Sequence, residues 1–198
     1  MKLFKRVTLL ALALALTMGL SACAAGPEMP MEATIDGHTI TLGKTTMADM
    51  ADWGYEVYSA GRQDAAREGD KYIYFHYSLS KGAGNQFWVS VYTPYYGGTN
   101  INKEAGEAAE SGIVFAVTLS KSATEKISAS YNGVDIKDMS FDSVAEWGCK
   151  KDEEASVATY KLTAAQGFIT CKAEGTFSEE MDELRVSMEK KTFEAMQK

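Results

Sequence analysis

Along Lys71–Ser80, KYIYFHYSLS, apolar and polar side chains alternate with a period of two. That is the pattern of a strand with one buried face. Ile73, Phe75, Tyr77 and Leu79 fall on one side, and Tyr72, Tyr74, His76 and Ser78 on the other. QFWVSVYT (Gln86–Thr93) repeats the pattern, with Phe87, Val89 and Val91 against Gln86, Trp88, Ser90 and Tyr92. In GIVFAVTLS (Gly112–Ser120), alternation puts Ile113, Phe115, Val117 and Leu119 in the core and Val114, Ala116 and Thr118 opposite. Three further strands follow in the second half: VATYKLT (Val157–Thr163), GFITCKAE (Gly167–Glu174) and DELRVSME (Asp182–Glu189). Their outward set, Thr159, Lys161, Thr170, Lys172, Arg185 and Ser187, is polar. KGAGN and AAQ are short enough to be hairpin loops.

The period changes to helical in two places. Met47, Met50, Ala51 and Trp53 follow a Thr45/Thr46 cap, and Gly54 closes the segment. Phe141, Val144, Ala145 and Trp147 follow Ser140, and Gly148 closes that one. In register, Ala51 matches Ala145, Asp52 matches Glu146 and the Trp-Gly pairs coincide. A hairpin or bent strand, TIDGHTITL (Thr34–Leu42), precedes the first helix, and a strand, KISASYNGVDI (Lys126–Ile136), the second. The chain thus predicts an α+β fold of two related units, residues 34–122 and 123–198. In each, a short helix packs on a small antiparallel sheet, because two turns of helix do not persist alone. The Trp-Gly pair is expected to fix each helix end onto its sheet. Asn100–Ser111 reads as an acidic loop or short exposed helix, and the C-terminal KKTFEAMQK as a final helical turn.

The N-terminus stands outside this pattern. Lys2, Lys5 and Arg6 precede an apolar run, Val7–Gly19, too short to span a bilayer comfortably. Leu20-Ser21-Ala22-Cys23 then resembles the lipobox of bacterial lipoproteins. The resemblance implies a signal peptide over residues 1–22 and a lipidated Cys23, with the protein on the extracytoplasmic face of a bacterial cell membrane. Acyl chains on one cysteine suffice for stable anchoring. Residues 23–33, with two prolines and no apolar period, are expected to be the lipidated tether.

The net charge of −7 becomes more negative once the basic leader is removed. An acidic chain is a poor partner for nucleic acid. Cys149 and Cys171 remain after lipidation, and an exported chain keeps disulfides, so the pair is expected to be bridged. Two buried free thiols, or half of a metal site, are the alternatives. The two histidines, His38 and His76, lie far from either cysteine in sequence, and no cofactor or metal is expected. No Gly-x-Ser-x-Gly, phosphate-binding loop or His-Glu-x-x-His is present, so the chain is expected not to be an enzyme.

The segment Gly43–Tyr55, GKTTMADMADWGY, together with Cys149 and Cys171, resembles the tandem helix-plus-sheet units of the β-lactamase inhibitory protein-like fold. In that fold a Cys just after the helix pairs with one on a following strand. The second copy departs from it, with Lys137-Asp138-Met139 in place of Gly-x-Thr. The resemblance implies a binding or scaffold fold, not β-lactamase inhibition.

One feature favours binding. The outward set of the first half, Tyr72, Tyr74, His76, Trp88 and Tyr92, with Tyr95 and Tyr96 just beyond, is aromatic. Tyr and Trp give large contact area at low entropic cost. The expected function is non-catalytic binding of a protein or glycan through this face. A structural or assembly role in the envelope is one alternative, and a small enzyme or enzyme inhibitor another. The anchor is tested directly: Cys23→Ser should leave the precursor unprocessed by the lipoprotein pathway or release the product from membranes. A variant that loses its leader and still fractionates with membranes would refute the lipid anchor.

Overall fold

The computed structural model describes residues 26–60, 70–82, 87–96, 101–122, 124–173, 175, 178 and 180–198. Cys23 and the leader lie outside them, as does Gln86. The described chain is α+β, with antiparallel pairing throughout. In order it forms β1 (Glu32–Ile35), β2 (His38–Thr41), α1 (Met47–Asp52), β3 (Glu56–Ala60), β4 (Tyr72–Ser80), β5 (Phe87–Pro94), α2 (Ile101–Ser111) and β6 (Ile113–Ser120). It continues with β7 (Ala129–Tyr131), β8 (Val134–Asp135), a 3-10 turn (Ile136–Asp138), α3 (Phe141–Glu146), β9 (Lys150–Lys151), β10 (Thr159–Ala164), β11 (Gly167–Ala173), β12 (Met181–Met188) and α4 (Lys190–Met196).

The strands build two sheets. The larger runs β3-β4-β5-β6-β12-β11-β10-β9, and the smaller β2-β1-β7-β8. The strands of the two halves therefore merge into continuous sheets. The join in the large sheet is the β6–β12 ladder, which sets Leu119 opposite Leu184 and Val117 opposite Val186. All four are at most 1% exposed. Each such burial is worth about 1.5–3 kcal/mol. Strands β3 and β9 are not legible in the sequence: Glu56–Ala60 has no buried residue, and Lys150–Lys151 is too short to alternate.

Both short helices form where the period predicts. Thr46 Oγ1 accepts from Asp49 N while Asp49 Oδ2 accepts from Thr46 N, a reciprocal cap. Ser140 and Ser143 make the same exchange in α3. Gly54 and Gly148 follow at φ of +87° and +95°, a left-handed conformation that only glycine adopts without strain. The tryptophans dock on the smaller sheet and its flanks. Trp53 stacks on His38 of β2, with ring centroids 4.7 Å apart, and Trp147 meets Tyr131 of β7 edge-on at 5.4 Å.

Three expectations change. Of the two expectations for the acidic segment the helix holds, Ile101–Ser111 being α2, but it is not simply exposed: Ala108 and Glu104 are fully buried. Small side chains at Ala105, Ala108 and Ala109 let it approach β4 and β5, and Tyr77 Oη donates to Ala105 O at 2.9 Å. The segment expected as a tether is held to the domain from Pro27 onward. Pro27 O accepts from Ala165 N, Pro30 O accepts from Tyr131 Oη, and Met29 and Met31 pack on the core.

The expected disulfide is not formed in this structure. Cys149 and Cys171 are buried free thiols. The neighbouring Cys149 thiol and then burial push the Cys171 thiol up.

Burial pushes the Tyr77 phenol from its ordinary value near 10 to about 12. The folded state holds the neutral form. Its contribution to stability is therefore complete below about pH 10 and is lost as pH rises toward 12. Tyr77→Phe should cost about 1 kcal/mol at neutral pH, from loss of the bond to α2, and should flatten the alkaline fall in stability. Urea melts of both proteins between pH 8 and 12 check this; parallel curves would show that Tyr77 is not a source of the alkaline loss.

Candidate functional site

The antiparallel register lines outward side chains into rows across the large sheet. Ser78, Trp88, Thr118, Arg185, Thr170 and Lys161 stand in one row, contributed by six strands. His76, Ser90, Ala116, Ser187 and Phe168 stand in the next. The aromatic outward set of the first half and the polar outward set of the second thus share one continuous face.

A bulge decides which rings join it. Ser90 pairs with Ala116 and Val91 with Val114, so Phe115 is an extra residue on β6. An inserted residue reverses the alternation on its own side. Val114 turns into the core, and Ile113 and Phe115, expected there, point outward with the tyrosines. Phe115 stacks on Tyr92 at 4.1 Å and meets Tyr74 edge-on at 5.5 Å.

Helix α4 closes this end of the face. Its Phe193, fully buried, lies 4.6 Å from Tyr92 and 5.2 Å from Tyr72. Tyr92 is consequently only 6% exposed and belongs to a second core, not to an open surface. Burial, with the nearby charges of Glu194 and Asp70, pushes its phenol up to about 12. Tyr72 is half-buried beneath the same helix. Tyr95 and Tyr96 are not brought to the face either. They follow β5, where Tyr96 N donates to Glu104 Oε1 of α2 and Lys103 sits over the Tyr96 ring.

What remains is Tyr74, His76 and Trp88, all half-buried. They border a depression of about 500 Å³ whose opposite wall is Thr118, Lys172, Glu183 and Arg185. Arg185 is anchored on that wall. Its Nη1 donates to Thr118 Oγ1 at 3.0 Å and its Nη2 to Ser90 Oγ at 3.1 Å. The same Ser90 Oγ is 2.7 Å from His76 Nδ1. Burial lowers the Arg185 guanidinium from its ordinary value, against the charge of Glu183, which raises it. Arginine nevertheless stays charged at neutral pH.

The acids nearby are otherwise engaged. Glu183 Oε1 is 3.7 Å from Lys172 Nζ, and Asp152 pairs with Lys161. Among the described residues, no carboxylate is within ion-pair distance of Arg185.

His76 beside Ser90 has the types of a base and a nucleophile, but Ser90 is 1% exposed. Its oxygen faces His76 and Arg185, not solvent, so the pair reads as a buried hydrogen-bond relay. His38, the second histidine, is stacked on Trp53. Among the described residues, no three His, Cys, Asp or Glu side chains converge as a metal-binding group. The residues that sequence reasoning left out of the site, Arg185, Thr118 and Lys172, had been placed outward by alternation. Nothing in alternation says that β12 lies beside β6.

Stability should separate the two parts of the face. Tyr92→Ala should cost about 3–5 kcal/mol, like Phe87→Ala in the main core, whereas Trp88→Ala should cost clearly less. Thermal melting compares the three; if Trp88→Ala melts as early as Tyr92→Ala, the Trp88 end is also closed core. Comparisons with family models, curated proteins and solved structures give no match for this chain.

Proposed function

We propose that this is a lipid-anchored protein of the extracytoplasmic face of a bacterial membrane, and that it works by non-catalytic binding through the outward face of its large sheet. The observation that carries the reading is the opposition of faces. Phe87 and Val89 are fully sealed on one side, while Tyr74, His76 and Trp88 border a depression on the other. The reach of the face is narrower than the alternation pattern suggests, because Tyr72 and Tyr92 serve α4. Its ligand is a protein or a glycan.

We propose further that the domain is a duplicated unit. In the large sheet, the strand order reads 3-4-5-6 inward from one edge and 9-10-11-12 from the other. Each half also carries a hairpin with a positive-φ turn, at Asp36-Gly37 and Asn132-Gly133, and a capped helix ending in Trp-Gly. The outward aromatic residues are concentrated in the first half, the second contributing Phe168, as expected when one copy of a duplicated sheet specialises.

A second reading, assembly into a larger envelope structure, draws on another observation. Edge strand β3 exposes Val57 and Tyr58, at 41% and 61%. An uncovered strand edge is a template for pairing with another chain. The two readings separate in one experiment. Envelope extract is passed over immobilised wild-type protein, Tyr74→Ala/Trp88→Ala and Val57→Lys/Tyr58→Lys. The face reading expects the captured protein or glycan to be lost with the first variant and kept with the second; the reverse outcome favours assembly through the edge.

A further inference from the structure

Resting on that reading of the face, we infer that Arg185 is the recognition point for a single carboxylate, an Asp or Glu side chain presented by a protein partner that lays apolar surface on Trp88 and Tyr74. Arg185 is held in the middle of the sheet by two neutral hydroxyls, Thr118 and Ser90. Those bonds use two of its five N–H donors. Its charge has no carboxylate within ion-pair distance among the described residues.

Arg185 is half-buried, and Glu183, whose charge acts on it, is engaged with Lys172. A partly desolvated charge with no carboxylate bonded to it costs a fold more than a paired one. The same position is well suited to a ligand. The guanidinium is fixed in rotamer by Thr118 and Ser90, so little entropy is lost when a carboxylate docks on its remaining donors. A charge-assisted, bidentate bond of that kind is about twice as strong as a neutral one. Lys172, though paired with Glu183, adds positive potential on the same wall.

The chemistry limits the ligand to one acidic group. Beyond Arg185 and Lys172 the depression offers Glu183 and then rings, and the whole chain carries a charge of −7. A polyanion would meet repulsion at its second and third charges. The depression lies on the open plane of a sheet, crossed by five strands. Flat, ring-bearing surfaces centred on an arginine are the make-up of protein–protein contact centres.

The test is a selection of random peptides displayed on phage against the folded wild-type domain, followed by affinity measurements on the best peptide. We expect a consensus with one Asp or Glu next to an aromatic or aliphatic residue. Changing that acid to its amide should lower affinity at least tenfold, a test that needs no variant of the domain. Arg185→Met should lower affinity by the same order while melting no earlier than wild type, the signature of a residue kept for binding. Consensus peptides that lack an acid but lose binding to Trp88→Ala would overturn the carboxylate inference and leave the binding face standing. Peptides that bind Trp88→Ala as well as wild type, or no selectable peptide at all, would count against both. A glycan captured through the face, with no acidic peptide selected, would overturn the choice of a protein partner.

Discussion

The ladder between β6 and β12 is the contact on which the rest depends. It joins strands more than sixty residues apart in sequence and turns two runs of four strands into one eight-stranded sheet. On its inner side it buries Val117, Leu119, Leu184 and Val186. On its outer side it sets Arg185 against Thr118, within reach of Ser90 one strand further on. The same register thus seals the core and assembles the depression. A slip of one residue would reverse both faces, exposing the leucines and driving Arg185 into the core. The smaller sheet repeats the device through the β1–β7 pairing, where Thr34 meets Ser130 and Ile35 meets Ala129.

The outer face is divided by two local features, a bulge and a C-terminal helix. The bulge at Phe115 supplies a ring where strict alternation supplies none, and it stacks on Tyr92, which Phe193 of α4 covers together with Tyr72. The cluster holds α4 against the sheet, and Gln197 Nε2 adds a bond to Gly43 O near the helix end. Lys190 pairs with Asp70 at the start of the helix. Rings that looked like one binding surface therefore do two jobs. Those at the α4 end stabilise, and those near Trp88 stay at the border of the depression.

The cations of the outer face differ in their partners. Lys161 and Lys172 have acids beside them, Asp152 and Glu183, and such half-exposed pairs contribute little to stability. Arg185 donates to the hydroxyls of Thr118 and Ser90, and the same Ser90 oxygen meets His76 Nδ1. Neutral dipoles orient a guanidinium without cancelling its charge.

The sequence by itself determined the local elements. Periodicity and capping chemistry placed α1 and α3, the Asp36-Gly37 turn, and the sealed faces of β4, β5, β11 and β12, because each depends on residues near one another in the chain. Composition and the missing motifs pointed away from familiar catalysis. Strand β3, with no buried residue, and helix α2, whose burial relies on alanines, left no periodic trace. Nor could alternation foresee the bulge, since one extra residue on β6 is visible only against the register of β5. Only the tertiary structure decided that Tyr92 is core and Trp88 is not, that Cys149 and Cys171 lie together as free thiols, and that Arg185 lies beside the aromatic half. Each of these is set by pairing between distant segments, and the energy of such pairing belongs to neither segment alone.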